Sequence, residues 1–465
     1  VLAEWSARRS TDAIRRPARP LPRTLPPDPD DSLFGPENQP GLFAGTWGPT
    51  SVAIARRPRI AILDSGVDVE HEEWGGPASP LVAGRSTWTR SKDSDDWGIN
   101  GHGTHVAGVA AAPANGVGIV GVAPARRSGA QVIPVQISDT FGVSQDEQII
   151  RGVRWAVRRG ARVVNISSGG PEFNRTFQEV VWWAEEKGAL IISSVGNDGD
   201  AANTFNYPAG YQRVLGVGAV CNGIASIDCP DAAGPAIFSN RNASVDLMAV
   251  GVGVVSSVPD RVQRDRVAPG YATNDGTSFS APFVAGAAAL VFANHVNPSP
   301  FQVRRALLNA ATDIGPRGRD SVSGYGVVNP EAAARGRLPL PDPFEVNDTP
   351  ARAHTLKGRF APNRLPVEAA VDQFDDRDDV YRVWFRRGDL IRLRLNHRRG
   401  WVNLNLWQPG TTKVRPVRRA RGVIRGTRRS RQVTLNRRAS RTGWHYVHVA
   451  AQKGFSRYSL RVRRN

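Results

Sequence analysis

Arg59-Ile-Ala-Ile-Leu-Asp-Ser-Gly-Val-Asp68 is a short apolar run that stops on a carboxylate and a glycine turn. A run with no polar face suits a strand covered on both sides, the pattern of a parallel sheet inside an α/β domain. Open α/β sheets carry their sites beyond the carboxyl ends of such strands. Asp64 therefore stands where a functional carboxylate is expected, although a turn-forming aspartate reads the same way.

Downstream, apolar runs at 131–137, 162–166, 189–193 and 214–220 alternate with helical patterns at 145–159 and 173–187. That alternation indicates right-handed crossovers covering both faces of one parallel sheet. Ahead of it, Asn100-Gly-His-Gly-Thr-His-Val-Ala-Gly108 leads into an alanine-rich helix. His102 and His105 lie one turn apart. One catalytic imidazole beside a structural neighbour suits them better than a metal pair, because the nearby carboxylates are not arranged for zinc. The run at 189–193 continues into Ser194-Val-Gly-Asn-Asp198, where Asn197 is either a turn former or an amide donor facing a cleft. Gly276-Thr-Ser-Phe-Ser-Ala-Pro282 then opens the most apolar helical stretch of the chain. Its glycine allows close approach of a substrate, and the unpaired N–H groups of a helix start favour developing negative charge, so Ser278 is placed like a nucleophile. An ordinary capping serine is the alternative that this stretch leaves open.

Together these pieces resemble the subtilisin-like serine peptidases. Asp64 stands in Ile-Leu-Asp-Ser-Gly-Val-Asp, His102 in Gly-His-Gly-Thr-His-Val-Ala-Gly, Asn197 in Gly-Asn-Asp and Ser278 in Gly-Thr-Ser-Phe-Ser-Ala-Pro, in the family's order of Asp, His, Ser. The likeness covers about residues 58–337. It implies Ser278 as nucleophile, His102 rather than His105 as base, Asp64 as its orienting partner, and Asn197 with the Ser278 N–H as oxyanion donors. Ser280 has no counterpart role. The resemblance also implies Ser167, Ser168, Gly169 and Gly170 on one wall of the primary specificity pocket, and Ser194, Val195 and Gly196 on the other. Asn206 stands near the floor, where glycine is usual, and should shorten the pocket, while Asp198 at the rim could attract basic groups. No cofactor is implied for the chemistry. A structural calcium is implied by the loop of Asn115, with Glu73 in place of the usual acidic ligand.

Charge divides the chain sharply. Residues 351–465 hold 29 Lys+Arg against 7 Asp+Glu, a balance of +22, while the whole chain carries +19. The last quarter is therefore read as a separate basic module. Alternation in Asp379-Val-Tyr-Arg-Val-Trp-Phe385 and Leu390-Ile-Arg-Leu-Arg-Leu395 marks short strands of a β-sandwich. Glu345-Val-Asn-Asp-Thr349 and the closing Tyr458-Ser-Leu-Arg-Val462 resemble the pre-peptidase C-terminal domain of secreted bacterial proteases. Some such domains bind calcium or a fibrous substrate, and Glu345, Asn347, Asp348 and Asp378 could supply oxygens, but they are expected to be solvated turn groups. Sequence thus gives a subtilisin-like three-layer α/β domain at 59–336, a proline linker at 337–342 and a smaller all-β sandwich at 343–465.

A Pro/Arg-rich arm occupies 1–58, with Trp5, Leu33, Phe34, Leu42, Phe43 and Trp47 as expected docking points. The two cysteines, Cys221 and Cys229, are expected to form a local disulfide in an exported protein. No apolar run is expected to span a membrane, and neither a signal segment nor a folding prodomain is visible ahead of Asp64. The reading is a secreted, extracellular bacterial endopeptidase, monomeric, acting on polypeptides, with polyanion, cell-surface or fibrous contacts through its basic module.

Overall fold

In a computed structural model, which describes residues 32–33, 57–75, 79–124, 130–356, 366–398, 400–414, 424–425 and 432–464, the opening apolar run is strand β1, Arg59–Asp64. Strands β2 (Arg85–Ser86), β3 (Gln131–Gln136), β4 (Ala161–Ile166), β5 (Leu190–Ser194), β6 (Val214–Val220) and β7 (Leu247–Val250) join it in a seven-stranded sheet of order β2-β3-β1-β4-β5-β6-β7. Every pairing in that sheet is parallel. Alternate residues of β1 enter different cores. Ile60 and Ile62 pack with helices α1 (His102–Ala111) and α5 (Thr277–Asn294), whereas Ala61 and Leu63 pack with α2 (Asp146–Arg158) and α3 (Arg175–Glu186). Between α3 and α5 in the chain lies a single-turn α4 (Gly199–Ala202). Burying each such aliphatic side chain contributes ~1.5–3 kcal/mol, which is why so apolar a strand belongs in the middle of three layers.

From β1 the sheet grows through β3 on one side and β4 on the other, so its order reverses beside Asp64. Ligands of open α/β sheets bind at such a switch point. Helix α5 is, against expectation, long and apolar enough to cross a membrane by length and composition, but 89% of it is buried inside the protein. It is the central core helix. A small sheet of β8 (Val254–Ser257), β9 (Arg266–Ala268) and β10 (Tyr271–Asn274) leads into it, and α6 (Pro300–Ala310) and α7 (Pro330–Arg335) pack on its far end.

Thereafter the regular elements among the described residues are strands: β11 (His354–Thr355), β12 (Val367–Asp372), β13 (Asp378–Phe385), β14 (Leu390–His397), β15 (Trp401–Trp407), β16 (Ile424–Arg425), β17 (Gln432–Arg438), β18 (Gly443–Lys453) and β19 (Phe455–Arg464). They form a sheet of order β11-β13-β18-β15-β16 and another of order β12-β19-β14-β17, mainly antiparallel and sharing one apolar core. The alternation read from Leu390–Leu395 is real, with Ile391, Leu393 and Leu395 buried and Arg392 and Arg394 exposed.

Charge holds this region to the seven-stranded sheet. Arg213, fully buried, enters β6 with a left-handed φ of 73°, a conformation that is uncommon for a bulky side chain. Its N–H donates to Asp375 (2.9 Å), and its Nη2 reaches Asp376 (2.7 Å), Asp348 (3.1 Å) and Glu345. Arg304 bridges Glu185 (2.8 Å) and Asp375, and Arg305 meets Asp372 (2.9 Å). The expectation that Glu345, Asn347, Asp348 and Asp378 are solvated is therefore wrong. Glu345 and Asp348 are buried on Arg213, Asn347 is fully buried, and Asp378 pairs with His448 (2.7 Å). For Glu345 and Asp348 the reason lies in tertiary pairing with Arg213, over 130 residues away, and for Asp378 in pairing with His448, 70 residues away, neither of which a local pattern reveals.

Cys221 and Cys229 are bonded. Of the N-terminal docking points, Leu33 packs on the main core and its N–H donates to the Gly118 carbonyl (2.7 Å); Trp5, Phe34, Leu42, Phe43 and Trp47 lie outside the described residues.

Candidate active site

Asp64 closes β1, and its Oδ1 accepts the N–H of Ser65 (2.8 Å) and meets His102 Nδ1 at 2.7 Å. His102 is the first residue of α1, reached through Gly101 in the left-handed region at φ 60°. The helix start is capped from outside: the Gly103 N–H donates to Ser65 Oγ (2.9 Å), and both the N–H and the hydroxyl of Thr104 donate to Asp96 Oδ2 (2.9 and 2.7 Å). Gly103 lies so close to the turn after β1 that a Cβ would sit 2.1 Å from the Gly66 carbonyl oxygen. That glycine is what lets the imidazole reach Asp64.

Burial pulls the His102 pKa down, but the Asp64 charge and hydrogen bond, with Asp96 behind, outweigh it and leave the imidazole above its ordinary value. His105 behaves oppositely. Its Nε2 faces the carbonyls of Val254 (3.0 Å) and Ala272 (3.3 Å), and burial and the neighbouring His102 bring its pKa down to about 3. Phe279 lies against both rings, at 5.2 and 4.4 Å.

Ser278 is the second residue of α5, in the turn set by Gly276 at φ 148°. Pro282, four residues on, has no N–H to give the Ser278 carbonyl, which instead accepts the Ser167 hydroxyl (2.7 Å). In return the Ser278 hydroxyl donates to the Ser167 carbonyl (3.1 Å) rather than to the imidazole. Asn197 is held by its oxygen, which accepts the N–H (2.9 Å) and hydroxyl (2.7 Å) of Thr277. The amide NH2 is thereby presented, and it shares one cleft of about 640 Å³ with His102, Ser278 and Phe279. Ser280 is fully buried and packs on Gly251, where a Cβ would lie 2.3 Å from its hydroxyl.

Both walls of the expected specificity pocket are adjacent. Gly170 pairs with Tyr207 through two backbone hydrogen bonds, and Asn165 Nδ2 donates to Ser167 Oγ (3.0 Å). Ser168 and Gly169 follow on that wall, and a Cβ on Gly169 would lie 2.4 Å from the Tyr207 carbonyl oxygen. On the facing side Ser194 ends β5, and the Val195 carbonyl accepts Asn206 Nδ2 (3.1 Å). A Cβ on Gly196 would fall 1.9 Å from that Asn206 nitrogen. Asp198 is turned to Asn240, whose Nδ2 donates to it at 3.2 Å. Glu73 and Asn115 also meet. Glu73, fully buried, accepts the Ile119 N–H (2.6 Å), its carbonyl accepts Asn115 Nδ2 (3.2 Å), and Asn115 Oδ1 accepts the Val117 N–H (3.0 Å). A carboxylate and an amide oxygen against one loop are the donor chemistry that calcium takes.

Sequence reasoning missed Thr277 and Asp96. The first lay unremarked inside the Gly-Thr-Ser motif. The second is a distant polar residue with no local signal.

The family model described as Subtilase family matches residues 56–326. The chain is 33% identical over 279 residues to Subtilisin E of Bacillus subtilis, covering 60% of this chain and 65% of that protein. It is 34% identical over 293 residues to Subtilisin Savinase of Lederbergia lenta, covering 62% and 98%. Among solved structures, a lanthipeptide protease aligns with a TM-score of 0.49 and 25% identity, over 60% of this chain and 87% of that one.

Proposed function

Since the chain belongs to the subtilase family of serine endopeptidases, we propose that it hydrolyses peptide bonds through Asp64, His102 and Ser278. The observation that carries this is the 2.7 Å Asp64–His102 contact opening onto the same cleft as Ser278 and the anchored Asn197. The Ser278 hydroxyl swings from the Ser167 carbonyl and attacks the substrate carbonyl, while His102 Nε2 takes its proton. Asp64 fixes the tautomer and stabilises the imidazolium. Asn197 Nδ2 and the Ser278 N–H, at the positive end of α5, hold the oxyanion; loss of one such donor costs on the order of 10²–10³ in kcat. His102 then protonates the leaving amine, and water, deprotonated by the same base, releases the acyl group from Ser278.

Residues 167–170 and 194–196 form the walls that receive the side chain before the cleaved bond, and Asn206 under Gly196 makes that pocket shallow. Glu73 and Asn115 would hold a calcium ion that staples their loop and takes no part in the chemistry. The division at 59–336, 337–342 and 343–465, the likeness of the last part to the pre-peptidase C-terminal domain, export from a bacterium and a monomeric state complete the reading. The basic last part is proposed to contact polyanions. Casein digestion by the native protein and by Ser278→Ala tests the central assignment: the variant should lose nearly all activity, and equal activity in both would refute it.

A further inference from the structure

On the outer face of the β12-β19-β14-β17 sheet, Arg392 of β14 stands directly opposite Arg463 of β19, and Arg394 opposite Arg461. All four are exposed, while their strand neighbours Leu393, Leu395, Leu460 and Val462 point into the core. Like charges directly opposite each other on a sheet are destabilising. Two such pairs in succession form a square of guanidiniums, and within it the Arg394–Arg461 pair is one that folding alone disfavours. Among the described residues Arg392 and Arg461 have no hydrogen-bonding or ionic partner, and Arg394 donates to Gln432 (3.1 Å). Two carboxylates of β12 share this face: Glu368, exposed, is placed opposite Ser459, two residues before Arg461, while Asp372, opposite Phe455, is buried and paired with Arg305.

We infer that this arginine square is a binding face for an acidic polysaccharide. Successive outward residues on a strand repeat every ~6.8 Å, so the square offers charges in two parallel rows that an extended anionic chain can follow. Guanidinium forks bind sulfate and carboxylate in bidentate fashion. The outward neighbours Asn396, Ser459, Gln432, Thr434 and Asn436 are hydrogen-bonding side chains suited to hydroxyl groups. The aromatic ring that β19 places on this face, Phe455, is half-buried under Arg305 (4.1 Å) and away from the square, whereas single-stranded nucleic acid is held by stacking its bases on open rings. This deepens the proposed polyanion contact of the basic region and is read by binding, so it stands apart from hydrolysis.

The test uses the full chain carrying Ser278→Ala, with heparin as the probe and a 20-base single-stranded DNA as the rival. One variant adds Arg392→Gln, Arg394→Gln and Arg461→Gln. A control removes the same charge from the arginine-lined groove on α2, through Arg151→Gln, Arg154→Gln and Arg158→Gln. Heparin affinity should fall about tenfold or more in the first and stay near the parent value in the control, with a thermal midpoint unchanged or raised in the first as repulsion is relieved. Equal losses in both variants would show diffuse attraction. An unaffected square variant would move the site to other arginines, such as those of the stretch 415–431, and tighter DNA binding lost by the same variant would replace polysaccharide with nucleic acid. Each of these overturns the inference while leaving a polyanion contact in place. No heparin binding by the parent at low salt would remove that contact as well.

Discussion

Replacing Arg213 by methionine keeps the volume of its stem and removes the guanidinium at the centre of the buried charge cluster. Glu345, Asp348 and Asp376 lie on its Nη2, and Glu185 is 3.7 Å from Nη1. The carboxylates outnumber the arginines there. Burial raises Glu345, Asp348 and Asp376 above the usual carboxylate range, with Arg213 opposing and their mutual repulsion adding, while the surrounding acids hold Arg213 firmly charged. Removing one partner of a buried pair costs about 3–5 kcal/mol, because uncompensated charge stays behind. With a urea dependence near ~3 kcal/mol/M, the unfolding midpoint should drop by about 1 M or more. A carboxylate raised in the folded state contributes stability that is present below its unfolded pKa and lost as pH rises through its folded value. Without Arg213 these groups rise further and take up protons, so the loss at pH 8 should exceed the loss at pH 5. Urea titrations of both proteins at the two pH values, followed by tryptophan fluorescence, read this out. A drop below about 1 kcal/mol, or a loss that grows toward acid, would refute the view that Arg213 is the counter-charge joining the two parts.

The raised His102 pKa sets the acid limb of kcat/KM, which should have its midpoint above 6.5; Asp96→Asn, which removes a charge that raises it, should move the midpoint down in a pH–rate profile. Thr277→Val deletes one of the two anchors of Asn197 and should lower kcat roughly tenfold with KM unchanged in steady-state assays on a peptide substrate. Asn206→Gly should deepen the pocket, raising kcat/KM for phenylalanine over alanine before the cleaved bond about tenfold in paired peptide substrates.

The peptidase half was legible because its signals are local. A buried-strand run ending in Asp64, the Gly-His-Gly turn and the Gly-Thr-Ser helix start each carry their own backbone reason, and the glycines at 103 and 276 prove to sit where a side chain would clash or a positive φ is needed. The choice of His102 over His105 came from family likeness, and the geometry gives its physical basis in the carbonyls that surround His105. What escaped the reading was set by distance in the chain. Glu345 and Asp348 look like surface turn acids until Arg213 is brought to them, and Asp96 looks like one of several loop aspartates until it caps α1. The apolar length of α5 passes the measure of a membrane span that the sequence reading had not granted it, and its burial shows why: hydropathy cannot say whether lipid or protein covers a helix.

Covalent labelling tests the central claim most directly. The native protein, treated with a serine-directed fluorophosphonate and mapped by peptide mass spectrometry, should carry a single adduct on Ser278, with labelling suppressed in His102→Ala. An adduct on another residue, or casein cleavage that persists with Ser278 unlabelled, would contradict the account.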